Sequence, residues 1–382
     1  MRNVKLAENQ FMQIPELQDV YAVFDKWMHI TDRHRIDAVL AVSLSHKVKG
    51  VPLWLIVIAP SGDGKNEILL SIKNNPEVVH IKSLNANALA SGQINKKHED
   101  LAKRLDGKIM LIPEMSCLLS MSSEEKVRIW AQLRDLYDGY AGKQTGGGVS
   151  PDYSGLHVTF IGGSVPKIDS QILIHQDLGT RELIYRSNGE SDEDCKLKDK
   201  VFENEGYEEE MRKEIADTVN YYLNHVEIKD VKVPEAVKVK LYEFVDYLRI
   251  MRCQAETDGF SGELINFVSP EQATRCLKQI KKLYCCLKML DPNYTDDRAL
   301  EVINKIVNSS ILPLRARIYK ILKESDSEMT TREISETAKI GWKPTYRELN
   351  ILHALDRVER RDIHPENDFY GKEKSFVWKA KF

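Results

Sequence analysis

Three patterns of apolar and polar residues follow one another along the chain. The first is helical. Val20, Val23, Phe24 and Trp27 share one face of a helix after a short irregular arm, and Ile36 to Val48 gives a second amphipathic helix, ended by Gly50–Pro52. The second is a series of short apolar runs at Leu53–Ile58, Val78–Leu84, Lys108–Ile112 and His157–Ile161. Runs of that length suit strands buried on both faces of a parallel sheet. Charged helical segments separate them: residues 95–106 (NKKHEDLAKRLD), and a helix from Ser123 with Ile129, Leu133 and Leu136 on its apolar face. Between that helix and the last run, Asp138–Gly155 is dense in glycine and reads as a hairpin or an extended loop.

The third pattern begins after an abrupt change of composition. Residues 187–214 (SNGESDEDCKLKDKVFENEGYEEEMRKE) turn acidic and predict a linker or a solvated helix. From Glu210 to about Ser309 the period is helical throughout, with apolar rows at Ile215, Val219 and Tyr222, at Leu241, Val245 and Leu248, and at Leu277, Ile280, Leu283 and Leu287. Within it, SPEQATRCLKQIKKL reads as a helix with a cap and first-turn acid at Ser269–Glu271. From Leu312 the chain predicts a helix at Leu314–Leu322, a second opened by Thr330–Thr331 with Glu333, and a third begun at Pro344 after a turn at Gly341. Two β-prone pieces follow, Val358–Ile363 and Phe376–Ala380. Three helices with a tight turn before the third, then a hairpin, make the pattern of a winged helix-turn-helix.

The chemistry concentrates at one junction, LWLIVIAPSGDGKNEILL, Leu53–Leu70. A buried strand runs into a turn of small residues (Pro60, Ser61, Gly62, Asp63, Gly64), and Lys65, Asn66 and Glu67 open a helix. Strand, glycine turn, lysine and helix are the parts of a phosphate-binding loop, in which backbone N–H groups and the lysine face the phosphates of a nucleotide. The match departs from G-x-x-x-x-G-K-[ST] at two places: Ala59 stands at the first glycine, and Asn66 where a hydroxyl ligates Mg²⁺. An amide oxygen is also a ligand for a hard cation. Downstream, Lys108–Ile112 ends in Pro113–Glu114, so a single acid stands at the tip of a buried strand. There it would hold Mg²⁺ or position the attacking water.

Composition narrows the class. Of 382 residues, 42% are hydrophobic and 30% charged, which suits a globular protein of two or three domains. No apolar run approaches the roughly 20 residues of a membrane span, and MRNVKLAENQ lacks the apolar centre of a signal peptide. Six cysteines without C-x-x-C spacing point to a reduced, cytoplasmic compartment. The net charge of -3 gives no global signal for nucleic acid, so any such contact would come from local patches.

The order of parts resembles a family. Phosphate loop, strand ending in an acid, helix, glycine-rich hairpin, a strand closing at Gly162–Gly163–Ser164, then LGTRELIYR is similar to the AAA+ ATPases of the helicase group. More narrowly, it resembles the minichromosome-maintenance-like helicases and related proteins of phages, plasmids and other mobile elements. The resemblance runs from about Arg35 to the C-terminus. It implies an N-terminal arm and helix (1–34), an α/β core with a parallel sheet (35–190), an all-α lid (191–310) and a winged-helix domain (311–382). It further implies that Arg181 is an arginine finger acting on ATP held by a neighbouring subunit of a ring. Ser164 would be the polar sensor at the strand tip, and Arg275 a second sensor reaching the γ-phosphate. The Gly142–Pro151 hairpin would project into a central pore, with Lys143 as its cation.

The expectation is therefore an ATP- and Mg²⁺-dependent, homo-oligomeric DNA helicase or helicase-like replication motor. Lys65 and the loop amides would hold phosphates, Asn66 and Glu114 the metal. A single strand would pass through the pore. Duplex DNA would meet the winged helix through Lys343, Thr345, Tyr346, Arg347 and Asn350. Two alternatives stay open: a nucleotide-dependent initiator or regulator that binds a site without translocating, and a degenerate ATPase serving as an assembly scaffold.

Overall fold

The computed structural model describes residues 14–84, 89–90, 99–142, 150–170, 180–187, 195–266, 269–363 and 375–381. Their contacts group the chain into two units. The first takes in the described residues of 1–171, 181–241 and 277–306, and the second those of 172–180, 242–276 and 307–382. The helical stretch expected to form one lid is thus divided between the two.

The first unit is a parallel α/β layer structure. It opens with α1 (Leu17–Trp27) and α2 (His34–Leu44). Strand β1 (Trp54–Ile58) is buried along its whole length, as its continuous apolar run requires. It leads into α3 (Lys65–Leu70). Then come β2 (Val78–His80), α4 (Leu101–Leu105), β3 (Ile109–Ile112), α5 (Ser116–Leu119) and α6 (Ser123–Tyr137). Helix α6 starts on a reciprocal capping box between Ser122 and Glu125. The expected hairpin is present at its base as β4 (Tyr140–Gly142) paired antiparallel with β5 (Asp152–Ser154), while its tip, Lys143 included, lies outside the described residues. Strand β6 (Thr159–Ser164) carries Ser164 as its last residue, and β7 (Leu183–Arg186) follows.

The sheet order is β2-β3-β6-β1-β7, with every pairing parallel. Strand β7 is made of the LIYR of the LGTRELIYR motif; nothing in its local period distinguished it, and it lies on the side of β1 opposite β6. Helices α7 (Cys195–Asn204), α8 (Glu208–His225), α9 (Glu235–Met251), α10 (Ala273–Met289) and α11 (Asp296–Ser309) follow. Helix α7 buries no residue, matching the solvated acidic segment read from composition. Helix α10 begins at Ala273, not at Ser269. Its expected first-turn acid, Glu271, instead takes Arg252 and Arg275 as ion-pair partners.

The second unit contains α12 (Pro313–Glu324), β8 (Met329–Thr330), α13 (Thr331–Ala338), α14 (Trp342–Ala354), β9 (Val358–Ile363) and β10 (Ser375–Ala380). Helix α13 has the capping box read from Thr330 and Glu333. Helix α14 starts two residues before Pro344, with Gly341 as its N-cap. The strands form one antiparallel sheet in the order β8-β10-β9. Trp378 on β10 is fully buried and donates its indole N–H to Thr331 Oγ1 at 2.8 Å.

Candidate functional site at the carboxyl ends of the parallel strands

In the first unit the chain leaves β1 toward β2 at one edge of the sheet, and leaves β6 across β1 toward β7 at the other. Neighbouring strands whose connections depart in opposite directions open a crevice at their carboxyl ends, where open α/β sheets bind ligands. Ile58 and Ser164 are register partners there, so the two tips stand side by side. The phosphate-loop candidate, Ser164 and Glu114 all leave the sheet at this end.

Gly64 is the N-cap of α3 in the left-handed conformation, φ +80°, which a side chain disfavours. A Cβ there would lie 2.5 Å from the Met28 methyl. Lys65 and Asn66 occupy the first helical positions, whose N–H groups have no intrahelical acceptor. Pro60, Ser61 and Gly62 are exposed at the lip of the turn. Lys65 is buried, and its ammonium lies 3.9 Å from Glu114 Oε2. Glu114 is held by Ser116, whose N–H donates to Oε1 at 3.1 Å. The tips of β3 and β6 approach closely because Gly163 has no side chain: a Cβ would sit 2.2 Å from the Pro113 carbonyl oxygen.

Among the described residues of this region, Arg35 Nε and Nη2 and two buried oxygens, Asn66 Oδ1 and Ser164 Oγ, lack a hydrogen-bond partner. A buried oxygen without a donor is costly in a folded chain. Together with the Glu114 carboxylate the two oxygens are the donor set that a hard divalent cation or a phosphate-bound water takes. The residues present therefore fit Mg²⁺ with a nucleotide.

Asp63 does not face the crevice as a free acid. Arg35 Nη1 donates to both of its oxygens, at 2.7 and 2.6 Å, and Ser187 Oγ donates at 3.0 Å. Both side chains of the pair are almost wholly buried, at 1% and 2% exposure. The ion pair ties the phosphate loop to the start of α2 and the end of β7. Sequence inspection could not find this partnership, because Arg35 and Asp63 lie in different elements and neither belongs to a motif that names the other. Glu67 is likewise turned aside: Arg212 on α8 grips its carboxylate with contacts of 2.9 to 3.2 Å. A cavity of about 280 Å³, also unforeseen, is lined by Asp25, Met28, His29, Lys196, Asp199, Lys200 and Glu203.

Arg181 lies apart from this cluster. Its side chain is 10% exposed, its Nη2 is 2.5 Å from Asp138 Oδ2, and its guanidinium lies over the Tyr137 ring at 5.8 Å. Gln279 binds the Arg181 carbonyl and the Tyr137 hydroxyl, at 2.6 and 2.9 Å. Acting on a nucleotide in a neighbouring copy would require the Asp138 pair to open. Arg186, at the end of β7, makes a two-point pair with Asp169 at 2.6 and 3.0 Å.

The remaining expected residues belong to the second unit. Arg275 pairs with Glu271 at 3.0 Å. Along α14, Lys343 is exposed, Thr345 is buried with its hydroxyl on the Gly341 carbonyl, and Tyr346 is buried with its hydroxyl on Glu263 Oε1 at 2.8 Å. Arg347 Nη2 donates to the Gly259 carbonyl at 2.7 Å, and Asn350 Nδ2 to that of Gly262 at 3.1 Å. Four of the five residues expected to meet duplex DNA are thus engaged inside their own unit.

Among the described residues there is no cluster of metal-ligating side chains of three or more His, Cys, Asp or Glu, and no helix long and apolar enough to cross a membrane. No protein-family model and no curated protein matches the chain. One solved structure that is similar, "SCCmec type IV Cch - active helicase", shares 11% identity over 96% of this chain and 70% of that one, with a TM-score of 0.40.

Proposed function

We propose that the chain is a phosphate-loop ATPase of the AAA+ type, working as a helicase-like DNA motor of the minichromosome-maintenance-like kind. The observation that carries this reading is the convergence at the strand tips. Lys65 and Glu114 lie 3.9 Å apart, and Asn66 and Ser164, each with a partnerless oxygen, belong to the same carboxyl end of the sheet, where the connections diverge. Lys65 and the first amides of α3 hold the phosphates of ATP. Asn66 and Glu114 hold the cation, which would neutralise charge on the transferred phosphoryl group. Glu114 orients the attacking water, and Ser164 hydrogen-bonds from the strand tip. The Arg35–Asp63 pair keeps the loop seated on the sheet. In a ring, Arg181 released from Asp138 would reach the nucleotide of the next subunit, and Arg275 would act as the second sensor. The hairpin built on β4 and β5 would meet the threaded strand, and the C-terminal helices and wing would add DNA contact.

The test is ATP turnover by the full chain, with and without single-stranded DNA, beside Lys65→Ala. Turnover that DNA stimulates and that the variant lacks supports the motor. Equal turnover in wild type and variant overturns it. Pro113, standing where a second acid would strengthen the metal site, favours a second reading, a nucleotide-binding scaffold. That reading predicts saturable ATP binding without turnover.

A further inference from the structure

The second unit carries a small hairpin whose two ends are treated differently. Thr257 and Leu264 form an antiparallel bridge, and Asp258 fixes the turn between them: its carboxylate accepts from the Phe260 and Ser261 N–H groups at 3.0 and 2.5 Å and from the Ser261 hydroxyl at 2.8 Å. One side of the turn is fastened to α14 through Tyr346–Glu263, Arg347–Gly259 and Asn350–Gly262. Gly262 packs so closely there that a Cβ would lie 3.1 Å from the Tyr346 ring. The hairpin base is anchored as well, with Ala255 and Leu264 against Ile351 and Leu355. The turn presents Phe260 to solvent at 92% exposure.

A large apolar side chain fully in water on a turn held this firmly has no packing reason to be there. Its surroundings say what it suits. Lys343 Nζ stands 5.8 Å from the Phe260 ring centroid. Trp342, beside it on α14 and 43% exposed, is the outer end of a column in which its ring stacks on Tyr346 (5.0 Å, 9°) and Tyr346 on Phe376 (6.0 Å, 15°). Arg360 covers Phe376 at 4.5 Å. Flat rings with an open face, interleaved with cations, match bases and phosphates of a single strand. The groove-reading alternative is poorly served, because the Tyr346 hydroxyl, Arg347 Nη2 and Asn350 Nδ2 are already engaged by the hairpin.

We infer that Phe260 and Trp342, with Lys343 between the phosphates and the rings, form a stacking site for unpaired nucleobases, and that the hairpin keeps α14 from reading duplex DNA. This deepens the DNA-motor reading and rests on it. The experiment measures binding of the full chain, without nucleotide, to oligo(dT) and to a duplex, following tryptophan fluorescence and anisotropy at low salt. Phe260→Ala and Trp342→Ala are each expected to weaken oligo(dT) binding by roughly 5–150-fold, from the usual loss per stacked base. Lys343→Ala should flatten the salt dependence. Wild-type affinity for oligo(dT) in both aromatic variants overturns the inference. So does a change confined to self-association in sedimentation, which would make the face a protein contact. ATP turnover is measured in parallel. Intact turnover with no affinity for either DNA overturns the stacking site and leaves the ATPase standing. Absent turnover with oligo(dT) affinity that depends on Phe260 does the reverse.

Discussion

The Lys65 ammonium lies 3.9 Å from Glu114 Oε2, across the tips of two strands that are not neighbours in the sheet. The strand between them, β6, ends in Ser164. Lys65→Ala should abolish turnover with the fold intact, read by ATPase assay and circular dichroism. Glu114→Gln should still bind ATP but turn over at least about tenfold more slowly, a barrier increase of about 1.4 kcal/mol. Loss of metal-dependent ATP binding in that variant would make Glu114 a cation ligand instead.

The Arg35–Asp63 pair should be strongly coupled. Removing one member strands a buried charge, so Arg35→Met should cost about 3–5 kcal/mol in urea unfolding. Removing both, in Arg35→Met/Asp63→Leu, should cost much less than the sum of the singles, which a double-mutant cycle reads directly. Additive costs would mean that the pair does not hold the loop. Both variants should also weaken ATP binding, since the loop loses its tether to α2.

Arg181 has two roles to separate. Arg181→Ala removes a ring contact and an ion pair in which the arginine is buried and Asp138 exposed, so a stability loss of about 1 kcal/mol is expected whatever its catalytic part. Asp138→Asn keeps the guanidinium and weakens only its restraint. If Arg181 acts between subunits, Asp138→Asn keeps turnover, Arg181→Ala loses it, and mixing Arg181→Ala with Lys65→Ala protein restores a fraction. No restoration in mixed assemblies verified by sedimentation would make Arg181 a structural residue.

Lys282 supplies a pH prediction. Its ammonium is buried and donates to the Val51 carbonyl at 2.9 Å, and burial lowers its pKa from 10.5 to about 8. Between those values the unfolded chain binds more protons than the folded one, so stability rises with pH across that window. The cost of the buried charge is fully present below pH 8. Lys282→Met should therefore stabilise the protein by about 1–3 kcal/mol at neutral pH, offset by the lost hydrogen bond, and by less near pH 10. Urea midpoints of both proteins at the two pH values test this; a variant destabilised equally at both would show that the hydrogen bond dominates.

Some elements were legible without coordinates because their signals are local. The apolar run that became β1, the glycine turn before Lys65, the Thr330–Glu333 capping box and the bounds of β9 each depend on neighbours a few residues apart. Where a competing long-range contact existed, the local reading failed. Glu271 looked like a first-turn acid of α10, yet ion pairing with Arg252 holds it outside the helix.

The sequence by itself determined that a phosphate-loop pattern follows a buried strand, that an acid ends another strand, and that a three-helix unit with a hairpin closes the chain. These follow from periodicity and from residue types with narrow backbone or chemical preferences. Only the tertiary structure decided which of those residues are taken up by partners within the fold. It seated Asp63 on Arg35, turned Arg181 into Asp138, and laid the 257–264 hairpin over the helix expected to read DNA. Partners so distant in sequence leave no periodic trace. A charged or amide side chain commits itself to whichever complementary group the folded chain brings within hydrogen-bond distance.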